Sequence, residues 1–266
     1  MEFTIVASKK DLAGTRIVES LRELNCKIPI HLTDEEIIYA ENIDKELNTD
    51  FIIFASKHQS VKQVKTLTVH PIGNWNKADF GGKDKTICKT SALMLKHFFQ
   101  TLEKNYNNLP QFYKENIECS LEATHHGPYI ETPSLFIEIG STKEEWQDKN
   151  LADLIAKTII EAVSTFKKNK NMKIAFGIGG PHYCQNFNQI QLSSNYALSH
   201  IVAEYALPIN ENMIKQILDK TKEKVTTAII DWKGLGNSEQ REKILNILKK
   251  FNLEIIRTNK AKSTQL

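Results

Sequence analysis

The sequence predicts an α/β fold in which a mixed, largely parallel sheet is flanked by helices. Three observations predict it. Short β-rich runs alternate with segments of helical period along the chain. One early run, FIIFAS (51–56), is apolar throughout, as expected of a strand covered on both faces. No internal repeat and no Pro- or Ser-rich linker interrupts the alternation. The 266 residues therefore read as one domain, 1–266, long enough for a sizeable core.

Each element follows in order. FTIVAS (3–8) is β-rich, and the segment after it places Leu12, Ile17, Leu21 and Leu24 at helical spacing. FIIFAS and VKTLTVHP (64–71) read as strands. From Gly73 to Lys85 glycine, asparagine and lysine dominate, which marks a loop. SALMLKHFFQTLEKNY (91–106) is helical, with Thr90 or Ser91 as its cap. IECSLEA (117–123) and SLFIEIG (134–140) are strands. Ser141 and Glu144 fit a capping box. The apolar stripe Leu151, Leu154, Ile155, Ile159, Val163 and Phe166 continues that helix. KIAFGIGG (173–180) is a strand closed by glycines. YALSHIVAEYAL and MIKQILDKTKEK read as helices. TTAIIDW (226–232), a capped helix from about Ser238, and LEIIRT (253–258) end the chain as strand, helix, strand.

Composition narrows the function classes. Hydrophobic content is 41% and charged content 25%, ordinary for a globular enzyme. Thirty-five basic against 32 acidic residues give a net charge of +3, which permits a nucleic-acid partner without demanding one. No apolar run approaches the roughly 20 residues of a membrane span. The start carries no basic lead and no long apolar core, so no signal peptide is expected. A cytoplasmic protein is expected. Cys26, Cys88, Cys119 and Cys184 are far apart and without a C-x-x-C pair, so they read as free thiols rather than zinc ligands.

Four segments set a histidine beside a strand end or a helix: TVHPIGNW (His70), LEATHHGP (His125, His126), GIGGPHYC (His182) and ALSHIVAEY (His200). In open α/β sheets ligands bind where the carboxyl ends of strands converge, so a shared cleft is expected. His31, His58 and His97 lack such a setting. In an extended chain His125 and His126 point to opposite faces, with Glu122 on the side of His126. Only a turn at Gly127–Pro128 brings both to one pocket. Imidazole titrates near neutrality, so the pair reads either as metal ligands and general bases, or as one exposed and one buried structural histidine. Gly179 and Gly180 allow close backbone approach, for a phosphate or simply for a tight turn. Trp75 reads either as a stacking platform for a base or as a buried ring. No H-E-x-x-H helix, G-x-S-x-G elbow or P-loop is present.

At SLEATHHGPYIETPSLFIEIGSTKEEW the chain closely resembles the archaeal and plant type of D-aminoacyl-tRNA deacylase, which includes the archaeal D-tyrosyl-tRNA deacylase. The resemblance extends to HPIGNW, ADFGG, GIGGPHY and SHIVAEYAL, from about Phe51 to Leu207. It departs at Pro181, where the family pattern has glycine, and at Cys184–Gln185, where Ala-Pro follows the tyrosine.

The resemblance implies a zinc-dependent hydrolase of the ester that joins a D-amino acid to the 3′ end of tRNA. It implies a fold similar to peptidyl-tRNA hydrolase and the nucleoside phosphorylases; a monomer is expected. On that footing His125, His126 and Glu122 are the catalytic residues, and His125, His126, His182 and His200 the zinc ligands. His70, Trp75, Asp79, Gly127, Gly179, Gly180 and Tyr183 are expected to meet substrate, with amides near Gly127 and Gly179–Gly180 holding an oxyanion or phosphate. D-selectivity is expected from pocket shape. Two other readings stay open: a peptidyl-tRNA hydrolase, and a non-catalytic tRNA- or nucleotide-binding module.

Overall fold

A computed structural model describes residues 1–263. The chain runs β1 (Phe3–Ser8), α1 (Leu12–Glu23), β2 (Ile30–Thr33), β3 (Phe51–His58), β4 (Thr66–His70), β5 (Gly73–Asn74), β6 (Thr86–Ile87), α2 (Ala92–Asn107) and α3 (Gln111–Asn116). It continues with β7 (Glu118–Leu121), β8 (Ser134–Gly140), α4 (Lys143–Gln147), α5 (Lys149–Thr165), β9 (Lys173–Ile178), α6 (Gln185–Ser193) and β10 (Tyr196–Val202). α7 (Glu211–Lys220), β11 (Thr227–Ile230), α8 (Ser238–Leu248), β12 (Glu254–Arg257) and α9 (Thr258–Lys262) complete it.

Two sheets carry the fold. The first has the order β2-β1-β3-β8-β4-β7, and only the β4–β8 pairing is antiparallel. The second, β10-β9-β11-β12, is wholly parallel. The expected mixed, largely parallel α/β architecture is what forms. One core cluster joins the sheets: Ile53, Leu67 and Ile137 of the first, Ala175, Leu198 and Ile229 of the second, and Phe98, Leu102, Ile155 and Ile159 of α2 and α5. α7 and α8 cover the far side of the second sheet through Met213, Ile214, Ile217, Ile244 and Leu248.

The first sheet is two-faced, and that positions the site. Side chains alternate across a strand. Odd positions such as Phe51, Ile53, Leu67, Val69, Leu121, Leu135, Ile137 and Ile139 all enter the joint core. The opposite face begins apolar at Ile52, Phe54 and Phe136, then turns polar. The register sets Ser56 beside Glu138, Glu138 beside Thr68, and Thr68 beside Ser120. His58 and His70 continue this buried polar face. So much polarity inside a sheet is costly unless it is paired.

Two readings change at the helices. YALSHIV is strand β10, not a helix. Every one of its residues is buried, with Leu198 and Ile201 in one cluster and Ala197 and Val202 in the other. A strand covered on both faces has no polar side to reveal its period. The capping box lies one residue later than expected. Thr142 caps α4, and Glu145 reaches back to the Thr142 amide at 3.0 Å. The helix also breaks at Asp148, which caps α5 by accepting from the Asn150 and Leu151 amides.

Candidate active site

The polar face of the first sheet gathers a cluster of histidines and two carboxylates. Glu138, central in β8, lies 3.5 Å from His58 Nδ1 and 3.4 Å from His70 Nε2. Glu122 follows β7 and lies 3.2 Å from His58 Nδ1, 3.4 Å from His125 Nε2 and 3.2 Å from His182 Nε2. Both carboxylates are buried. The histidines arrive from different directions: His58 ends β3, His70 ends β4, and His182 follows β9 of the second sheet.

The chain turns at once after Thr124. His126 has φ 43°, a left-handed conformation uncommon for a residue with a side chain. The Gly73 amide is shared between the His125 and His126 carbonyls at 3.2 and 3.0 Å. The Gly127 amide donates to the Phe80 carbonyl at 2.9 Å. This kink, absent from an extended strand, brings the two imidazoles to one side, with ring centroids 4.3 Å apart. A Cβ on Gly127 would stand 2.3–2.4 Å from backbone atoms of Gly82, Gly81 and Ile38. Gly127→Ala is therefore expected to cost about 1–3 kcal/mol, as overpacking against rigid backbone does. Denaturant titration measures that loss.

Hydrogen bonds fix the tautomers. His125 Nδ1 lies 2.8 Å from the Ala123 carbonyl, His126 Nδ1 2.6 Å from the Gly127 carbonyl, and His70 Nδ1 3.1 Å from the Pro71 carbonyl. A carbonyl only accepts, so each Nδ1 carries the proton and Nε2 faces the cluster. His182 Nδ1 bonds the Tyr205 hydroxyl at 3.1 Å, and His58 Nε2 the Tyr183 hydroxyl at 3.0 Å.

Charge divides four of the imidazoles. Burial pushes His125 well below its ordinary range, and positive charge at His70 adds to this. Burial, with His70, lowers His126 to about 4. These two are neutral at pH 7, with Nε2 lone pairs free. Burial also opposes protonation of His58 and His70, but the carboxylates outweigh it. His58 rises to about 9 through Glu122 and Glu138, and His70 is raised through Glu138. Glu122 and Glu138 are held low by the same histidines against the pull of burial.

The pairing is incomplete. Both Glu122 oxygens, Glu138 Oε2 and His70 Nε2 are buried without a well-formed hydrogen bond. Two donor sets have their ligand atoms within 4.8 Å of one another: His58, Glu122 and His182, and His70, His125 and His126. A third set joins His70, Glu122 and Glu138.

Among the expected site residues, His70, Glu122, His125, His126, His182 and Tyr183 come together. His200 does not. It sits inside β10, wholly buried, with Nδ1 3.2 Å from the Thr124 hydroxyl and its ring against Trp75. Strand pairing, not a cleft, determines its place. Trp75 is 6% exposed and packs in the second core cluster, so it offers no stacking face. Asp79 is exposed on its loop and is not among the residues lining the cavity over the cluster. Gly179 and Gly180 close onto the turn Trp232–Leu235, and the Gly179 amide already donates to Val202 at 2.7 Å. The Gly127 amide is engaged too, so the amides of Gly127 and Gly179 are already committed to carbonyls.

His58 and Glu138 are the central residues that sequence reasoning missed. Yet His58 closes the same apolar strand that marks the fold, and Glu138 is the single charge within SLFIEIG. A charge inside a continuously buried strand was the available signal.

His200 also makes a pH prediction. Burial, aided by the Lys220 ammonium, lowers it to about 3. The unfolded chain protonates this group near pH 6.5, whereas the folded chain does not until about 3. Its contribution is therefore complete above 6.5 and falls as pH drops through that window, by up to about 1.4 kcal/mol per unit. Replacing His200 with asparagine should flatten the acid limb of a plot of unfolding free energy against pH by about one proton.

A sequence model of the D-aminoacyl-tRNA deacylase family matches residues 45–256. The chain belongs to that family. A D-aminoacyl-tRNA deacylase of Pyrococcus furiosus is 38% identical over 96% of this chain and 91% of its own length. Those of Thermococcus onnurineus and Methanocaldococcus jannaschii are 35% and 33% identical, covering 95% and 92% of this chain and 98% and 95% of theirs. A crystal structure of a conserved protein of unknown function superposes with a TM-score of 0.90 at 29% identity, covering 100% of this chain and 98% of that one. Like its family, the chain is a hydrolase. No helix of the described residues is long and apolar enough to cross a membrane.

Proposed function

We propose that this chain hydrolyses the ester linking a D-amino acid to the terminal ribose of tRNA, with the assistance of a zinc ion held by the histidine–carboxylate cluster. One observation supports the metal most strongly. Neutral His125 sets its unprotonated Nε2 3.4 Å from the buried Glu122 carboxylate, and its ligand nitrogen lies within 4.8 Å of those of His70 and His126. Lone pairs facing carboxylates repel unless a cation lies between them. Nitrogen and carboxylate donors together suit zinc.

His58, Glu122 and His182 would hold the ion as one donor set, with His70, His125 and His126 as the other. A zinc ion held there would lower the pKa of a water toward about 7 and would polarise the ester carbonyl. The chain's own residues do the rest. Tyr205 and Tyr183 fix the rings of His182 and His58 from behind, and the carbonyls of Ala123, Gly127 and Pro71 do so for His125, His126 and His70. Such outer contacts hold a ligating ring in orientation and tautomer. Glu138, beside His58 Nδ1 and His70 Nε2, would orient these two rings. A cavity of about 690 Å³ opens over His58, His125, His126, His182 and Glu138, a volume within the range of ligand sites.

The test compares deacylation of D-Tyr-tRNA and L-Tyr-tRNA before and after dialysis against a chelator. D-Tyr-tRNA turnover should be abolished by the chelator and restored by zinc, with L-Tyr-tRNA spared throughout. Full activity after exhaustive chelation removes the metal from the reading. Cleavage of N-acetyl-L-aminoacyl-tRNA in place of the D-ester replaces it with peptidyl-tRNA hydrolysis.

A further inference from the structure

The cavity above the cluster is larger than the reacting ester requires, and its far wall is of a different character. Tyr39 and Phe80 line it with 46% and 66% of their surface exposed. No ring–ring contact among the described residues involves either side chain. Single exposed apolar side chains are ordinary, but two rings grouped at the mouth of one cavity mark a ligand-facing patch. Gln59 and Gln63 line the same cavity.

This lip is fastened to the catalytic turn. A Cβ on Gly81 would meet the Ile38 carbonyl at 1.7 Å and the Tyr39 ring at 3.2 Å, so the two aromatic segments touch backbone to backbone. The Gly127 amide donates to the Phe80 carbonyl, and Gly127 abuts Gly81, Gly82 and Ile38. The backbone of Phe80 is thus bonded to the catalytic turn, and the backbone beside Tyr39 packs against Gly81 and Gly127, which places both aromatic residues next to the imidazoles.

Resting on the functional reading above, we propose that Tyr39 and Phe80 form a subsite for the adenine of the 3′-terminal adenosine. The ester lies on the ribose of that nucleotide, so its base must lie beside the reacting group. Exposed aromatic faces accept a base by stacking. Side-chain amides such as those of Gln59 and Gln63 match the donor–acceptor edge of adenine. The subsite holds the ester over the cluster irrespective of the amino acid attached.

The experiment measures deacylation of D-Tyr-tRNA and D-Ala-tRNA by the zinc-loaded full chain, the Y39A/F80A double variant and Y39F. AMP and CMP serve as competing probes. The double variant should raise KM at least tenfold for both substrates, with kcat within about threefold. Y39F should behave as the unaltered chain, because the ring and not the hydroxyl carries the contact. AMP should compete more strongly than CMP against the unaltered chain, and this preference should vanish in the double variant. An unchanged KM overturns the subsite. A loss confined to D-Tyr-tRNA overturns it too, since the rings then grip the amino-acid side chain. Equal inhibition by AMP and CMP of the unaltered chain does the same without relying on a variant. Absence of D-aminoacyl-tRNA turnover by the unaltered chain refutes the functional reading itself, and the subsite with it.

Discussion

His125→Ala and His126→Asn should each lower kcat/KM for D-Tyr-tRNA by at least about a hundredfold, the scale lost with a directly acting catalytic group. The physical ground is the protonation state of the pair. Burial and neighbouring positive charge keep both rings neutral, and the Ala123 and Gly127 carbonyls commit their Nδ1 protons. What remains at each Nε2 is a lone pair directed at the cluster, which no aliphatic side chain replaces. Asparagine is chosen at position 126 because the φ of 43° would penalise alanine by about 1–2 kcal/mol, whereas asparagine tolerates that region. The turn itself is held by backbone bonds from Gly73 and Gly127, so both variants should melt close to the unaltered chain. Steady-state kinetics beside a thermal melt checks this. Near-normal turnover in both variants removes the pair from the reaction.

Much of the fold was legible because strand and helix periods differ and the chain keeps them separate. FIIFAS, SLFIEIG and KIAFGIGG announce buried parallel strands, and Ser91 announces a helix start. YALSHIV was not legible, because burial on both faces erases the period that distinguishes strand from helix. At the site, the histidines near Gly and Pro could be found from local sequence. Local cues could mark His58 and Glu138 but not bring them together, because what unites them is the register of β3 against β8 and of β8 against β4. That register spans about eighty residues of sequence. His200 and Trp75 failed for the converse reason: a local setting like that of the true site, but with side chains turned into the second core.

The second large effect falls on the two carboxylates, and they should not be equivalent. Glu122 stands among His58, His125 and His182, and neither of its oxygens receives a well-formed hydrogen bond. Glu138 lies between His58 and His70. Glu122→Gln removes the carboxylate that stands among His58, His125 and His182 and leaves a neutral amide facing His125 Nε2. Retained zinc should fall well below that of the unaltered chain, and turnover by at least about a hundredfold. Glu138→Gln leaves Glu122 and the lone pairs of His125 and His126 in place. It weakens the hold on His58 and His70, so the expected loss is about 10- to 100-fold, as for groups that orient a metal's ligands. The ammonium of no lysine approaches either carboxylate among the described residues, so no nearby lysine takes over as counter-charge. Metal content after gel filtration, read alongside kcat for both variants, separates the roles. Equal zinc retention and equal turnover in the two variants would show that Glu122 holds no ion and serves, like Glu138, only to balance the imidazolium charge of His58 and His70.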